Sequence, residues 1–216
     1  KGKNVSHFEL KVHQQIGKEE FDDLKVSLSE LGYDIEVSEH SSSGPYASLD
    51  WLIPTGIGLL IAKPYFETFL KKAAEDHYSL LKEVFKKHLY PKSINPEGNE
   101  FKLVTTGGVE KDTFFTLHFS IYTKLSSSSG DITLKLMFPK KCSNEYFNNA
   151  IEKYTNFLSI YIGNGTEAEL ADKLVELDSG RRWTKILWLN DRSQEIELVD
   201  VVLSSKNKTF ISNRIT

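Results

Sequence analysis

Residues Asp50–Lys72 read DWLIPTGIGLLIAKPYFETFLKK. Twelve consecutive residues, Trp51 to Ala62, carry no charge, and a charged, aromatic segment follows at once. The fold turns on what covers this run. As a helix it reaches about 18 Å at ~1.5 Å per residue. A bilayer core is about 30 Å thick and needs about 20 apolar residues. Extension past Ala62 brings in Lys63, Glu67, Lys71 and Lys72, so the run does not predict a transmembrane helix. Pro54, Gly56 and Gly58 also weaken a helix standing alone. Three coverings remain. In the first, the run is a core helix beneath a sheet, with Ile53, Ile57, Leu60 and Ile61 as contacts and the glycines permitting close backbone approach. In the second, part of it is a partner or oligomer surface. In the third, Trp51, Tyr65 and Phe66 sit at membrane headgroup depth with lysines above them.

From Pro64 onward Phe66, Leu70, Ala73, His77, Leu80 and Val84 alternate steps of four and three. That spacing predicts one long helix over Pro64–Leu89, stopped by Pro91. Its near-heptad stripe suits packing on a sheet or against a second copy.

Upstream, HFELKVH (His7–His13) alternates as a half-buried strand does. GKEEFDDLKVSLSEL (Gly17–Leu31) has helical spacing, acids in its first turn and Gly32 as a stop. YDIEVS (Tyr33–Ser38) alternates again, so the opening predicts a β-α-β unit. Downstream, the polar connector KSINPEGNE marks the best domain boundary.

Beyond it, FKLVT (Phe101–Thr105) is a short strand candidate. Phe115–Ile121 and Ile132–Phe138 alternate on either side of SSSSGD and predict a hairpin. Core positions are odd-numbered in the first strand and even-numbered in the second, so paired numbers must sum to an odd value. Pairing Ser126 with Asp131 satisfies this and leaves a loop of Ser127–Gly130. Ser143–Tyr161 predicts a helix with Ser143 as N-cap, broken at Gly163–Gly165. Thr166–Leu177 predicts another, with Thr166 as cap and Glu169 in the capping-box position. Trp183–Leu189 and Glu195–Leu203 predict a second hairpin, and Thr209–Ser212 a last short strand.

The fold class expected is α+β: a β-α-β opening plus long helix, then two antiparallel hairpins with two helices, the helices covering a mixed sheet. Residues 1–92 and 98–216 form two closely packed lobes or share one fused sheet.

Composition bounds the function. The chain has 216 residues, 39% hydrophobic and 26% charged, with a net charge of −3. Four arginines and a negative balance argue against nucleic acid as a partner. A single cysteine, Cys142, gives no internal disulfide and suits a reducing, cytoplasmic compartment. The opening KGKNVSHFELKV has no apolar h-region and predicts no signal peptide. Between Gly17 and Asp50 nine acids face two lysines, while between Lys63 and Lys92 seven lysines face four acids. Solvated faces account for this, as does a basic segment meeting an acidic partner.

No catalytic constellation emerges. Asp76 and His77 are adjacent on a helix and point apart. His7 and His13 share a strand face about 20 Å apart at ~3.4 Å per residue, too far for one metal. His118 falls on the outer face of the hairpin near Lys135 and reads as a surface residue. Cys142 follows two lysines and precedes a helix start, a setting that lowers a thiol pKa. HSSSG, TTGG and SSSSG lack P-loop spacing. Arg181 and Arg182, beside Trp183, are the best candidate ligand-binding pair for a small anion.

The expectation is therefore a noncatalytic interaction or regulatory protein, a subunit or adaptor. No metal or cofactor is expected, and the partner is another protein or a second copy of the chain. Its partner surface would use Trp51, Ile57, Leu60, Phe66, Leu70 and His77. The alternatives are an enzyme acting on a small anionic ligand at the Ser/Gly loops and Arg181/Arg182, and a peripheral membrane-binding module.

Overall fold

The structure is a computed structural model describing residues 6–41, 55–71, 75–94, 101, 103–104, 110–111, 113–128, 130–180, 183–207 and 209–215. Within these ranges the side chains of 68–71, 75–77, 94, 103–104, 110–111 and 205 are left aside. The strands are β1 (Phe8–His13), β2 (Ile35–His40), β3 (Ile57–Ile61), β4 (Leu103–Val104), β5 (Glu110–Lys111), β6 (Phe115–Ser127), β7 (Gly130–Pro139), β8 (Thr184–Asn190), β9 (Glu195–Val199) and β10 (Ser212–Arg214). The helices are α1 (Asp22–Glu30), α2 (Lys63–Lys71), α3 (Glu75–His88), α4 (Tyr90–Ile94), α5 (Asn144–Asn164), α6 (Glu167–Leu177) and α7 (Val201–Asn207).

Eight strands form one mixed sheet in the order β2-β1-β3-β6-β7-β8-β9-β10, while β4 and β5 pair separately. The class is α+β, with helices over a mixed sheet. β1 and β2 run parallel, as the β-α-β opening predicts. β3 pairs antiparallel with β1 and parallel with β6, from Ile57↔Phe119 to Leu60↔Tyr122. The sheet therefore runs unbroken across the connector at which the sequence suggests two lobes.

The apolar run corrects the helical expectation, because Ile57–Ile61 is a central strand. A strand buried on both faces needs no alternation and reads as a continuous apolar run, which periodicity cannot tell from a buried helix. The β-branched ends Ile57 and Ile61 and the glycines at 56 and 58 all disfavour a helix here. The long helix predicted from Pro64 is described as α2 and α3, and Pro91 does not end it. Pro91 lies in the first turn of α4, where its missing N–H has no partner to lose.

The β6–β7 hairpin has the register that parity requires, Ser126↔Asp131, and Ser127 also pairs with Gly130, so the loop is tighter than predicted. Ser143 caps α5 by accepting the Tyr146 N–H at 3.0 Å. Thr166 holds the cap position of α6 without a side-chain bond into the helix; its hydroxyl donates back to the Tyr161 carbonyl instead. β9 stops at Val199, short of the expected Leu203. Asp200 intervenes, and its Oδ1 accepts the Leu203 N–H at 2.9 Å, starting α7. The last strand is shifted to Ser212–Arg214 and pairs with β9.

The core lies between one sheet face and the helices. Leu10, Leu59, Ile121, Leu134 and Leu187 line that face, one from each of five adjacent strands. Phe147 of α5 packs on Phe119 and Phe138, with ring centroids 5.6 and 5.1 Å away. Phe85 of α3 meets Phe8 edge-on at 5.6 Å. Burying such rings contributes about 1.5–3 kcal/mol each. At the rim, α6 is pinned to β8 by Lys185 and Asp178, 2.9 Å apart and both fully enclosed.

Candidate functional site

The partner surface read from the sequence divides once it is folded. Ile57 and Phe66 have no exposed surface and belong to the chain's own core. Their assignment as partner contacts is corrected: they face the helices from β3 and the sheet from α2. Leu60 is half-buried and turns to the opposite sheet face, beside Tyr122 in register. Leu70 lies on α2 and His77 on α3, with side chains outside the described set. Trp51, Arg181 and Arg182 also lie outside the described residues.

The outer side of the helix layer does offer apolar surface. Lys82 of α3 bonds Glu152 of α5 at 3.0 Å, and Lys63 at the start of α2 bonds Glu167 of α6 at 2.6 Å. On these neighbouring helices Leu80 is 51% and Ile160 62% exposed. Asn156, Ser159, Ile160, Gly163 and Asn164 line a groove of about 570 Å³ along α5. Their spacing places them on one side of that helix, away from the core stripe of Ile151, Tyr154 and Leu158.

The second sheet face is different in kind. Adjacent strands place Lys11, Gly58, Ser120, Met137 and Trp188 in one row, and Glu9, Leu60, Tyr122, Lys135 and Ile186 in the next. Ser120, Lys135 and Met137 are fully buried. His118, read from the sequence as a surface residue, is only partly exposed and stacks edge-on with Phe101 at 5.6 Å. The missing side chain of Gly58 admits the Tyr122 ring, since a Cβ there would lie 2.6 Å from it. Gly56 likewise admits the ring of Phe101. Close approach at both glycines is thus realised, but by aromatic rings.

Thr55 Oγ1 shares hydrogen bonds with Ser120 Oγ at 2.6 Å and the Tyr122 hydroxyl at 3.3 Å. Lys135 Nζ stands over the Tyr122 ring, 4.9 Å from its centroid. Burial raises the Tyr122 phenol pKa, but the Lys135 charge and hydrogen bonds from Lys135, Ser120 and Thr55 outweigh it and hold the phenol below its ordinary value. Burial also lowers the Lys135 amine, against the pull of Tyr122.

Nearer the sheet edge, His13 and His40 meet edge-on at 5.5 Å. His13 Nδ1 accepts the Gln15 N–H at 3.2 Å, which places its own proton on Nε2. Burial, then the facing His13, holds the His40 imidazole below its usual pKa.

Cys142 reverses its sequence reading. Burial and the Asp191 charge push its thiol up to about 12, so it is not an activated nucleophile. Among the described residues no group of three or more His, Cys, Asp or Glu side chains can hold a metal ion. Among them, too, no helix is long and apolar enough to cross a membrane. No known protein family, curated protein or solved structure matches the chain. The hydroxyl–phenol–ammonium cluster is not visible in the sequence because its members are ordinary residues on three separate stretches. The alternation of β6 and β7 does put Ser120, Tyr122, Lys135 and Met137 on one face, and that was the available signal.

Proposed function

We propose that this chain is a noncatalytic interaction or regulatory protein of the cytoplasm, an adaptor or subunit. It meets a protein partner, or a second copy of itself, through the outer side of its helix layer. The observation that carries this reading is Ile160, an apolar side chain mostly in solvent at the wall of the α5 groove. Leu80 extends apolar surface onto α3, within the stretch the sequence assigns to partner contact. The Ile57–Ile61 strand takes no part, because its side chains are spent on the sheet.

The mass in solution tests the proposal. Light scattering on the wild type is expected to give a defined oligomer, or cross-linking in cell extract a defined partner. Ile160→Asp and Leu80→Asp are expected to remove that species with the thermal midpoint unchanged. A wild type that stays monomeric and captures no partner, or an assembly indifferent to both variants, overturns it.

A further inference from the structure

The sheet face turned away from the helices holds a feature that the interaction reading does not use. Thr55, Ser120, Tyr122 and Lys135 bring three hydroxyls and an ammonium together at the centre of a sheet whose other face is hydrocarbon. Each such group is costly to bury unless hydrogen-bonded. The network is positioned by the fold at several independent points. Tyr122 and Lys135 are direct cross-strand neighbours, Ser120 is one step along the same face, and Gly58 is bare where the Tyr122 ring must lie.

The charges facing the cluster favour an anion. Exposed Lys11 lies beyond Gly58 on β1, and exposed Lys124 lies next along the face on β6. Glu9, partly exposed on β1, and exposed Glu36, its partner on β2, are the acids on that side. Tyr122 reports the resulting field: its surroundings stabilise negative charge on the phenol oxygen strongly enough to overcome burial. A site that favours charge on one oxygen favours it on another placed beside it.

We infer that the Thr55–Ser120–Tyr122–Lys135 cluster is a binding site for a small oxyanion, a carboxylate or a phosphate, with partly exposed Tyr122 at its entrance. The ligand oxygen accepts from the Tyr122 hydroxyl and its hydroxyl neighbours, and the Lys135 charge lies behind them. No bond is made or broken. The site stands apart from the helix-layer surface, so either can fail without the other.

The test titrates the protein with inorganic phosphate and, separately, acetate, at ionic strength held constant with chloride. The tyrosine ring resonances and the thermal midpoint are followed. One of the two anions is expected to shift the Tyr122 signals saturably and to raise the midpoint, which also names the ligand class. Tyr122→Phe, which keeps the ring over Gly58, is expected to bind about tenfold or more weaker, the effect of losing a hydrogen bond to a charged group. Ser120→Ala is expected to weaken binding less, and it provides a second variant should Tyr122→Phe fail to fold. No saturable shift with either anion in the wild type overturns the inference. So does an undiminished response in folded Tyr122→Phe and Ser120→Ala, which would mean an adventitious ion only.

Discussion

The two faces of the same sheet are built on different chemistry. Toward the helices, the central strands present mostly aliphatic and aromatic side chains, and stability there is largely a matter of area removed from water and of close packing. Away from them, the sheet presents Ser120, Tyr122 and Lys135 in its middle and Glu197 on β9 beside one edge, interrupted by the glycine at 58. Cohesion on that side depends on hydrogen bonds finding partners and on rings finding room. A smaller apolar cluster, Phe115, Met137, Ile186 and Val199 with Trp188 and Phe210 against it, closes its far end. Strand alternation thus separates two buried environments, and the outward positions are not a solvated back.

The sharpest way to break this contrast is to empty a site on the hydrocarbon face. Phe119→Ala, between Phe138 and Phe147, is expected to cost about 3–5 kcal/mol in urea unfolding. A loss below about 1 kcal/mol would mean that the helix layer does not clamp this face as described. Gly58→Ala probes the polar face by overfilling it. The new methyl meets the Tyr122 ring, so a loss of about 1–3 kcal/mol is expected in the same assay. A neutral result would show that the ring is not held against the strand.

Leu60→Ala then sharpens the comparison within β3. Leu60 is half-buried and turned to the polar face, and it is expected to cost about 1 kcal/mol, well short of its neighbour Leu59 on the core side. Equal losses at the two positions would erase the distinction between the faces.

The smallest effect is read from pH. Burial alone would raise the Glu197 carboxyl, but hydrogen bonds from Ser212, Asn190 and Ser193, with the Arg214 charge, hold it below its ordinary range. A carboxyl depressed by folding stabilises above its unfolded pKa of about 4.3, and that contribution is lost as pH falls through the folded value. Wild type is therefore expected to lose more thermal midpoint than Glu197→Gln between neutral pH and about pH 3. Parallel curves would remove Glu197 from the account.

Much of this was legible in the chain. The β-α-β opening followed from alternation, helical spacing and Gly32, all local signals. The Ser126–Asp131 register followed from parity, since a slip of one residue would turn every core side chain of β6 outward. Ser143 was legible as a cap because its bond to Tyr146 is made within one turn. What misled was burial. Ile57–Ile61 has no period because both its faces are covered. Nothing local marks Lys135 as buried, because its stem and charge find their surroundings only across β6. Asp200 does not read as a cap from the sequence, because the apolar run VVL continues the strand pattern past it.

By itself, the sequence determined which residues share a face, where the β6–β7 hairpin turns and how α5 begins, because each depends on neighbours within a few positions. The tertiary structure alone decided that β3 sits between β1 and β6. That placement took Ile57 and Phe66 away from any partner and set Tyr122 over Gly58, where Thr55 and Lys135 meet it. The contacts of Thr55 and Gly58 with Ser120 and Tyr122 join residues 62 to 67 positions apart, and only packing chooses among the many chains of contact that a polymer of this length can make.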